Sequence, residues 1–277
     1  MGIINKFIGI AEVASEHGEI VDLMLEVVHW FMLVLGLFWT CFFFYALFRF
    51  NRHKNKKADY HGFKGHVTMH LEIGIVVVEV ILLVGFAYPL WSQQVDDIPT
   101  GPDVVKVRAV GEQFQWNFHY PGPDGQFGLI DKFLQTGDNP VGIDPDDPNG
   151  RDDFVSRNEL VLPLGRHVVI VVTSKDVIHN LALTPMRIAH DAVPGSNTTM
   201  FFKPTKLSPQ GDGTPGNPEY WDIICGQLCG PGHALMKGEL HVRMPEDYDK
   251  WFKENTPAPA APAPVPVPVP VPDAPAQ

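Results

Sequence analysis

The sequence predicts an α+β membrane protein in which an N-terminal two-helix transmembrane hairpin is followed by an all-β domain. Between residues 27 and 91, two apolar runs are each long enough to cross a lipid bilayer. From residue 92 the chain changes to short runs rich in Val, Ile and aromatic residues, bounded by Gly, Pro and Asp, which is typical of a β sandwich or barrel. The formal charge of −11 excludes nucleic acid as a partner.

The two apolar runs cover residues 27–48 and 73–91. As helices they span roughly 33 Å and roughly 28 Å. The connector at 49–72 carries six of the seven basic residues that precede position 91, so the positive-inside rule places it in the cytoplasm. We therefore expect a two-span protein of the bacterial inner membrane, with both termini and the β domain on the periplasmic side. The alternative is a buried helical hairpin in a soluble protein.

Several residues in and around the spans need separate interpretation. Glu79 lies inside the second span, where a carboxylate is costly unless it is paired, so we expect it to face a partner helix. Glu72 lies at the cytoplasmic end of that span, where a solvated side chain is the default. Cys41, alone in the first span, is expected to be structural. Residues 1–26 are predicted to form an outer segment with a short surface helix rather than a cleavable signal.

The β domain is predicted at residues 92–255. Its predicted strands are short and apolar, at 104–110, 113–120, 159–164, 167–173, 198–203, 220–225 and 238–244. Residues 121–158 form an insertion, in which five carboxylates within 144–153 indicate a solvated acidic loop rather than a calcium loop. We expect a helix at 245–255 to close the domain and residues 256–277, rich in Pro, Ala and Val, to form a polyproline-type tail.

One stretch near the end of this domain combines soft metal ligands. Cys225 and Cys229 are four residues apart, His233 follows after four more, and Met236 after three more. Thiolate, imidazole and thioether favour copper over magnesium or calcium. Two thiolates can bridge two copper ions, with a histidine on each metal and a methionine and a backbone carbonyl as weak outer ligands. The pattern therefore predicts a dinuclear centre that transfers electrons.

The spacing alone leaves three other interpretations open. The two cysteines could form a disulfide, as thiols outside the cytosol often do. The sequence Cys-x3-Cys-x3-His could bind zinc, or the block could be an inert Gly-rich turn. Because the chain has no Cys-x-x-Cys-His sequence, no c-type haem is expected on it.

The copper block resembles the CuA loop of subunit II of the haem-copper cytochrome c oxidases. The resemblance extends to Val177-Ile178-His179 and to Asp191-Ala192-Val193-Pro194-Gly195, and covers roughly residues 20–250. With the strand pattern it implies a cupredoxin-like Greek-key domain. It implies the metal ligands His179, Cys225, the backbone carbonyl of Gln227, Cys229, His233 and Met236. Asp191 becomes a candidate for supporting these ligands.

The resemblance also implies a function, that of the electron-transfer subunit of a respiratory terminal oxidase. Electrons would pass from cytochrome c through dinuclear CuA to a haem in the catalytic subunit, where oxygen is reduced to water and protons are translocated. The implied partners are subunit I, subunit III and cytochrome c. Residues 92–255 carry 14 basic and 23 acidic side chains, and a negative face would steer a basic cytochrome.

Three positions depart from the family pattern. Gln227 replaces a glutamate, and its neutral amide is a poor ligand for the magnesium that the family holds at the subunit interface. Phe114 replaces a tryptophan through which electrons enter, which leaves Trp116 as the candidate for that role. Glu72 resembles a glutamate at the entrance of a proton pathway, but the residues that follow it differ.

Other classes of protein share parts of this pattern. A copper-delivery protein needs no Met236 and usually has one anchor, and a quinol oxidase subunit shares the fold without the copper ligands. A nitrous oxide reductase bears the same centre in a soluble enzyme with a larger second copper domain. A purely structural membrane subunit is the remaining alternative. Copper content separates the main cases, since electron transfer predicts two ions per chain, delivery one and a structural role none.

Overall fold

The computed structural model describes residues 2–57, 60–61, 65–96, 98–211, 214 and 218–257. The predicted tail at 256–277 lies almost entirely outside these residues, and so does part of the connector at 49–72.

Two long helices dominate the N-terminal third. A short helix α1 (Ile3–Phe7) precedes α2 (Gly18–Arg49), which begins before the predicted span. Helix α3 (Val67–Leu82) continues through a π-helical segment (Leu83–Ala87) into α4 (Tyr88–Val95). Both long helices are apolar enough to cross a membrane, and their apolar windows are not buried against the protein. The predicted two-helix membrane hairpin is thereby confirmed.

The π-helical segment has a cause in the sequence. Pro89 sits in the first turn of α4 and has no backbone N–H to donate to the preceding turn. Wider π-type turns commonly absorb such an interruption without ending the helix. The second span therefore runs on as one helix to Ser92.

The residues around the start of α2 are attached to the β domain, and we call residues 11–22 the N-terminal strap. The amide of Ala14 donates to the carbonyl of Pro185, and the amide of Thr205 donates to the carbonyl of Ala14, both at 2.8 Å. Further along, Arg187 Nε donates to Asp22 Oδ1 at 2.6 Å in a buried ion pair. The strap therefore links the start of the first membrane helix directly to the β domain.

The β domain consists of two five-stranded sheets that pack face to face. The strands are β1 (Val105–Glu112), β2 (Gln115–Tyr120), β3 (Phe154–Arg157), β4 (Glu159–Pro163), β5 (Val168–Ser174), β6 (His179–Leu183), β7 (Ile188–Ala192), β8 (Thr198–Phe202), β9 (Trp221–Cys225) and β10 (Lys237–Arg243). Their order is β3-β2-β1-β5-β8 in one sheet and β4-β10-β9-β6-β7 in the other. The β1–β5 and β4–β10 pairs are parallel and the other pairs are antiparallel.

The core lies between the two sheets and follows the period of two expected for strands. In β5, Val168, Ile170 and Val172 point inward, while the residues between them are half-buried. The opposite sheet contributes buried aliphatic side chains, among them Leu181 and Leu240. Burying each side chain of this size contributes about 1.5–3 kcal/mol, which makes the sandwich a rigid support for the loops at its ends.

The sequence analysis missed three strands, β3, β6 and β7. Strands β6 and β7 are only five residues long, and the turn between them (Thr184–Met186) is followed by Arg187 with φ of 55°. Strand β3 lies inside the predicted insertion and has four residues. Polar residues interrupt the apolar pattern, such as His179 and Asn180 in β6 and His190 and Asp191 in β7, so these strands do not appear as apolar runs in the sequence. Helix α5 (Pro245–Asn255) occupies the residues predicted for it.

The insertion is built largely from turns that carboxylates stabilise. Asp144 accepts a hydrogen bond from the amide of Asp146, and Asp147 accepts from the amides of Leu129 and Asn149. Such contacts are typical of turn-forming aspartates. Asp153, in contrast, is buried and belongs to a separate polar cluster with His119.

Candidate metal centre

Two neighbouring strands and one loop bring the predicted ligands together. His179 is the first residue of β6 and Cys225 is the last residue of β9, and these two strands pair antiparallel. The loop from β9 to β10 carries the remaining ligands, at Gln227, Cys229, His233 and Met236. The strands therefore fix the positions of two predicted ligands, and a single loop carries the others.

The first thiol has an imidazole and a carbonyl oxygen beside it. Cys225 Sγ lies 3.9 Å from His179 Nδ1 and 3.2 Å from the carbonyl oxygen of Gln227. It lies 3.9 Å from Cys229 Sγ, and both cysteines are free. Among the residues that the structure describes, His179, Cys225 and Cys229 form a convergent group whose ligand atoms all lie within 4.8 Å of one another.

The second thiol has an equivalent set of neighbours. Cys229 Sγ lies 3.6 Å from His233 Nδ1 and 3.8 Å from Met236 Sδ. Each sulfur therefore has one imidazole and one weaker donor nearby. A structural zinc ion uses four ligands, whereas six donors gather here, and they include a thioether and a carbonyl. This donor set fits two copper ions.

Most of the site is closed to water. His179, Cys225, Cys229 and Met236 are buried, while His233 is half-buried. Burial, with the Cys225 thiol beside it, raises the pKa of the Cys229 thiol to about 11. Without metal this thiol keeps its proton at neutral pH, and binding a metal ion must release it.

Asp176 orients His179, a role that the sequence analysis did not assign. His179 Nε2 lies 2.9 Å from Asp176 Oδ1, so the ring donates to the carboxylate and presents Nδ1 to the sulfurs. Burial acts to raise the pKa of Asp176, but hydrogen bonds from His179 and from the amides of Gln113 and Val177 together lower it. In the sequence, an acidic residue three positions before the histidine was the signal from which this role could have been predicted.

The turn between β1 and β2 contacts the loop from β9 to β10, which we call the copper loop. Gln113 Nε2 donates to the carbonyl of Cys229 at 2.6 Å. The ring of Phe114 lies against Gly232, where a Cβ would come within 2.4 Å of the ring. Only glycine fits under the aromatic ring at this position, so the sequence Gly-Pro-Gly-His sets how closely the loop approaches the turn.

The remaining predicted residues lie at different depths. Trp116 is fully buried, with its ring centroid 6.0 Å from that of His179, and its Nε1 has no hydrogen-bond partner among the described residues. Asp191 accepts from Asn180 Nδ2 at 2.7 Å, and the carbonyl of Asn180 accepts from the amide of Gly226. It therefore reaches the loop through Asn180. Glu72 is exposed on α3, in the membrane hairpin.

Comparison with known proteins identifies the family of this chain. The sequence model of the family described as "Cytochrome C oxidase subunit II, periplasmic domain" matches residues 105–241. An alternative cytochrome c oxidase subunit 2 of Bradyrhizobium diazoefficiens is 31% identical over 247 residues, which cover 87% of this chain and 82% of the relative. Cytochrome c oxidase subunit 2 of Cereibacter sphaeroides is 28% identical, over 82% of this chain and 75% of the relative.

A solved structure also matches, that of the periplasmic domain of subunit II of the cytochrome oxidase of Bradyrhizobium japonicum. It is 25% identical, covers 57% of this chain and 96% of that chain, and has a TM-score of 0.38.

The family accounts for the main features of the chain. Subunit II is part of a haem-copper oxidase, an oxidoreductase complex, and CuA copper and electron transport follow from the family. The two apolar helices and the matched periplasmic domain make this a membrane protein with a periplasmic domain. The chain belongs to the cytochrome c oxidase subunit II family.

Proposed function

We propose that this chain holds a dinuclear CuA centre which receives electrons from cytochrome c. It delivers them to a haem in subunit I, where oxygen is reduced to water and protons are translocated. The observation that carries the proposal is the gathering of six donors, two of which are free thiols: His179, Cys225, the Gln227 carbonyl, Cys229, His233 and Met236. When bound, two copper ions would supply one-electron redox chemistry at these residues.

The chain's own contribution is to hold the ligands still. His179 and Cys225 sit at the ends of paired strands, and Asp176 and Gln113 restrain the ring and the loop by hydrogen bonds. Because the ligands cannot shift, the structure of the site should change little when it gains or loses an electron. Burial keeps water from contributing to that change.

The outer surface of the site supports a docking role for cytochrome c. Leu228 and Leu235 of the copper loop are about four-fifths exposed, at 78% and 81%. Phe114 packs against the loop at Gly232, and the ring of Trp116 lies edge-to-face with that of His179. The surrounding domain carries the excess of acidic side chains noted above, which would steer a basic partner. We propose Trp116 as part of the electron path below this surface.

The N-terminal strap supports the proposed topology. Ala14 and Asp22 contact the β domain directly, which supports a topology with the start of the chain and the copper domain on the same side of the membrane. With the basic connector between the helices in the cytoplasm, that side is the periplasm. Subunits I and III would then contact the membrane helices, whose apolar side chains are exposed.

Counting copper in the purified complex tests the proposal. We expect two copper ions per chain in the complex beyond those of its other subunits, a purple colour and the multiline EPR spectrum of a shared electron. Cys225→Ser is expected to abolish all three. Cys41→Ser is the matched control, because Cys41 is also a free cysteine but lies in the first membrane helix.

Other outcomes favour the rival functions. One copper ion per chain without the multiline spectrum indicates copper delivery, and none indicates a structural subunit. A disulfide between Cys225 and Cys229 in the native, active complex contradicts electron transfer at this site.

Two further roles are proposals that separate experiments test. Glu72 is proposed as the entrance of a proton pathway, and unchanged proton uptake and oxygen reduction in Glu72→Gln would remove that role.

Gln227 offers a neutral amide where the family has a carboxylate, so we expect no magnesium at its side chain. Metal analysis of Gln227→Glu against the wild type tests this expectation.

A further inference from the structure

A cavity lies away from the metal centre, where both membrane helices meet the β domain. It has a volume of about 510 Å³, within the range of small-ligand sites. Ile20 and Met24 of α2 and Leu90 and Trp91 of α4 give it an apolar side. Because Trp91 lies near the end of the second span, this side is at the level of the membrane interface.

The side formed by the strap and the β domain carries polar groups, among them Glu16, His17, Arg187 and Lys203, beside Phe201 and Phe202. His17 hydrogen-bonds to the backbone of Arg187, while its Nε2 is buried and has no hydrogen-bond partner among the described residues. Burial outweighs the other influences and lowers the pKa of His17, so the ring is neutral and Nε2 is an acceptor. A buried acceptor without a donor is unfavourable, and a ligand with an N–H or O–H group would satisfy it.

The charges on this side nearly cancel. Lys203 Nζ lies 3.4 Å from Glu16 Oε2, in a pair that is open to solvent on both sides. Arg187 also lines the cavity, but its guanidinium is already occupied by Asp22. A ligand here therefore meets one accessible cation and one accessible anion, which suits a zwitterion better than a net anion.

We propose that this cavity binds one zwitterionic phospholipid whose headgroup ends in a primary ammonium. The phosphate would pair with Lys203, and the ammonium would donate to His17 Nε2 and approach Glu16. The acyl chains would follow Ile20 and Leu90 into the bilayer. The lipid would fill the junction between the strap and the two membrane helices, and so belongs to the structure of the assembled subunit.

Native mass spectrometry of the whole oxidase complex tests this site. The complex is released from nanodiscs of phosphatidylethanolamine, phosphatidylcholine or phosphatidylglycerol in equal amounts. We expect one retained phosphatidylethanolamine per chain, with phosphatidylcholine disfavoured because its headgroup has no N–H. In Lys203→Glu and in His17→Phe, retention should fall about tenfold, as expected for loss of one charge-assisted contact or hydrogen bond.

Lys206→Glu is the matched control. Lys206 is three residues from Lys203 and also pairs with a strap glutamate, Glu12, but it does not line the cavity. Copper content and melting temperature identify any variant that fails to fold. Equal retention of the three lipids, or equal loss in the Lys206 control, would overturn the proposal. So would a crosslink showing that a neighbouring subunit fills the cavity.

Discussion

Two buried histidines in the β domain each bond to an aspartate through one ring nitrogen, but the partners of their other ring nitrogens differ. His179 and His119 are both fully buried, and each has Nε2 bonded to a carboxylate, of Asp176 at 2.9 Å and of Asp153 at 2.6 Å. The other nitrogen of His179 faces the thiol of Cys225. The other nitrogen of His119 faces Arg108 Nη1 at 3.2 Å.

The partner of the second nitrogen distinguishes the proposed metal ligand, His179, from the structural residue, His119. Arg108 donates to His119 Nδ1, which uses its lone pair and closes the cluster, while Asp153 also accepts from the amides of Gly122 and Gly128. At His179 the lone pair of Nδ1 faces soft sulfur donors and stays available to a metal ion. A buried histidine–carboxylate pair therefore does not by itself identify a metal site.

Replacing each histidine should separate the two sites most strongly. In His179→Gln, we expect loss of the multiline EPR spectrum and a fall in cytochrome c oxidation of more than about 100-fold, because His179 is a proposed copper ligand. In His119→Gln, two copper ions should remain and only the melting temperature should fall. Equal copper loss in the two variants would contradict the distinction.

The Asp153→Asn variant should reveal the structural role of the His119 cluster. The carboxylate is fully buried and accepts three hydrogen bonds, so we expect a loss of about 3 kcal/mol in the free energy of unfolding. Denaturant unfolding of the copper-loaded protein measures this loss. The EPR spectrum should not change, and an altered spectrum would show that the cluster also shapes the metal site.

The Asp176→Asn variant should have a smaller effect, on copper affinity rather than on the free energy of unfolding. The carboxylate that orients His179 becomes an amide, and copper affinity should fall by about 10–100-fold while the centre still forms. Competition with a copper chelator measures the affinity. Asp191→Asn serves as the control, since Asp191 contacts Asn180 rather than a ligand. An unchanged affinity in Asp176→Asn would exclude the orienting role.

The smallest expected effect is a pH dependence of stability that comes from His119. Burial, with a further contribution from Arg108, lowers the pKa of His119 despite the neighbouring Asp153. Below the ordinary pKa of 6.5 the unfolded chain binds a proton that the folded protein excludes. The stabilisation is therefore complete above pH 6.5, and is lost as pH falls from there through the lowered pKa, by at most about 1.4 kcal/mol per pH unit. Unfolding midpoints between pH 5 and 8 should show a weaker slope in His119→Gln than in the wild type.

The parts of the molecule that the sequence predicts best are those set by local pattern. The membrane helices follow from hydropathy, and residues 225–236 follow from ligand chemistry and spacing. His179 could be assigned only through resemblance, because it lies 46 residues before Cys225 and sheet pairing brings the two together. Asp176, Gln113 and the arrangement around His119 depend on the same long-range pairing, which no short stretch of sequence displays.

The N-terminal strap and helix α4 attach the copper domain to the membrane helices at two separate places, near Asp22 and next to β8. A domain carried on one flexible link could swing, and its separation from the bilayer would fluctuate. With two anchorages we expect this separation to stay constant during turnover. In the proposed function, the long electron-transfer step toward the membrane would then proceed at a steady distance, and only the electron donor would have to move.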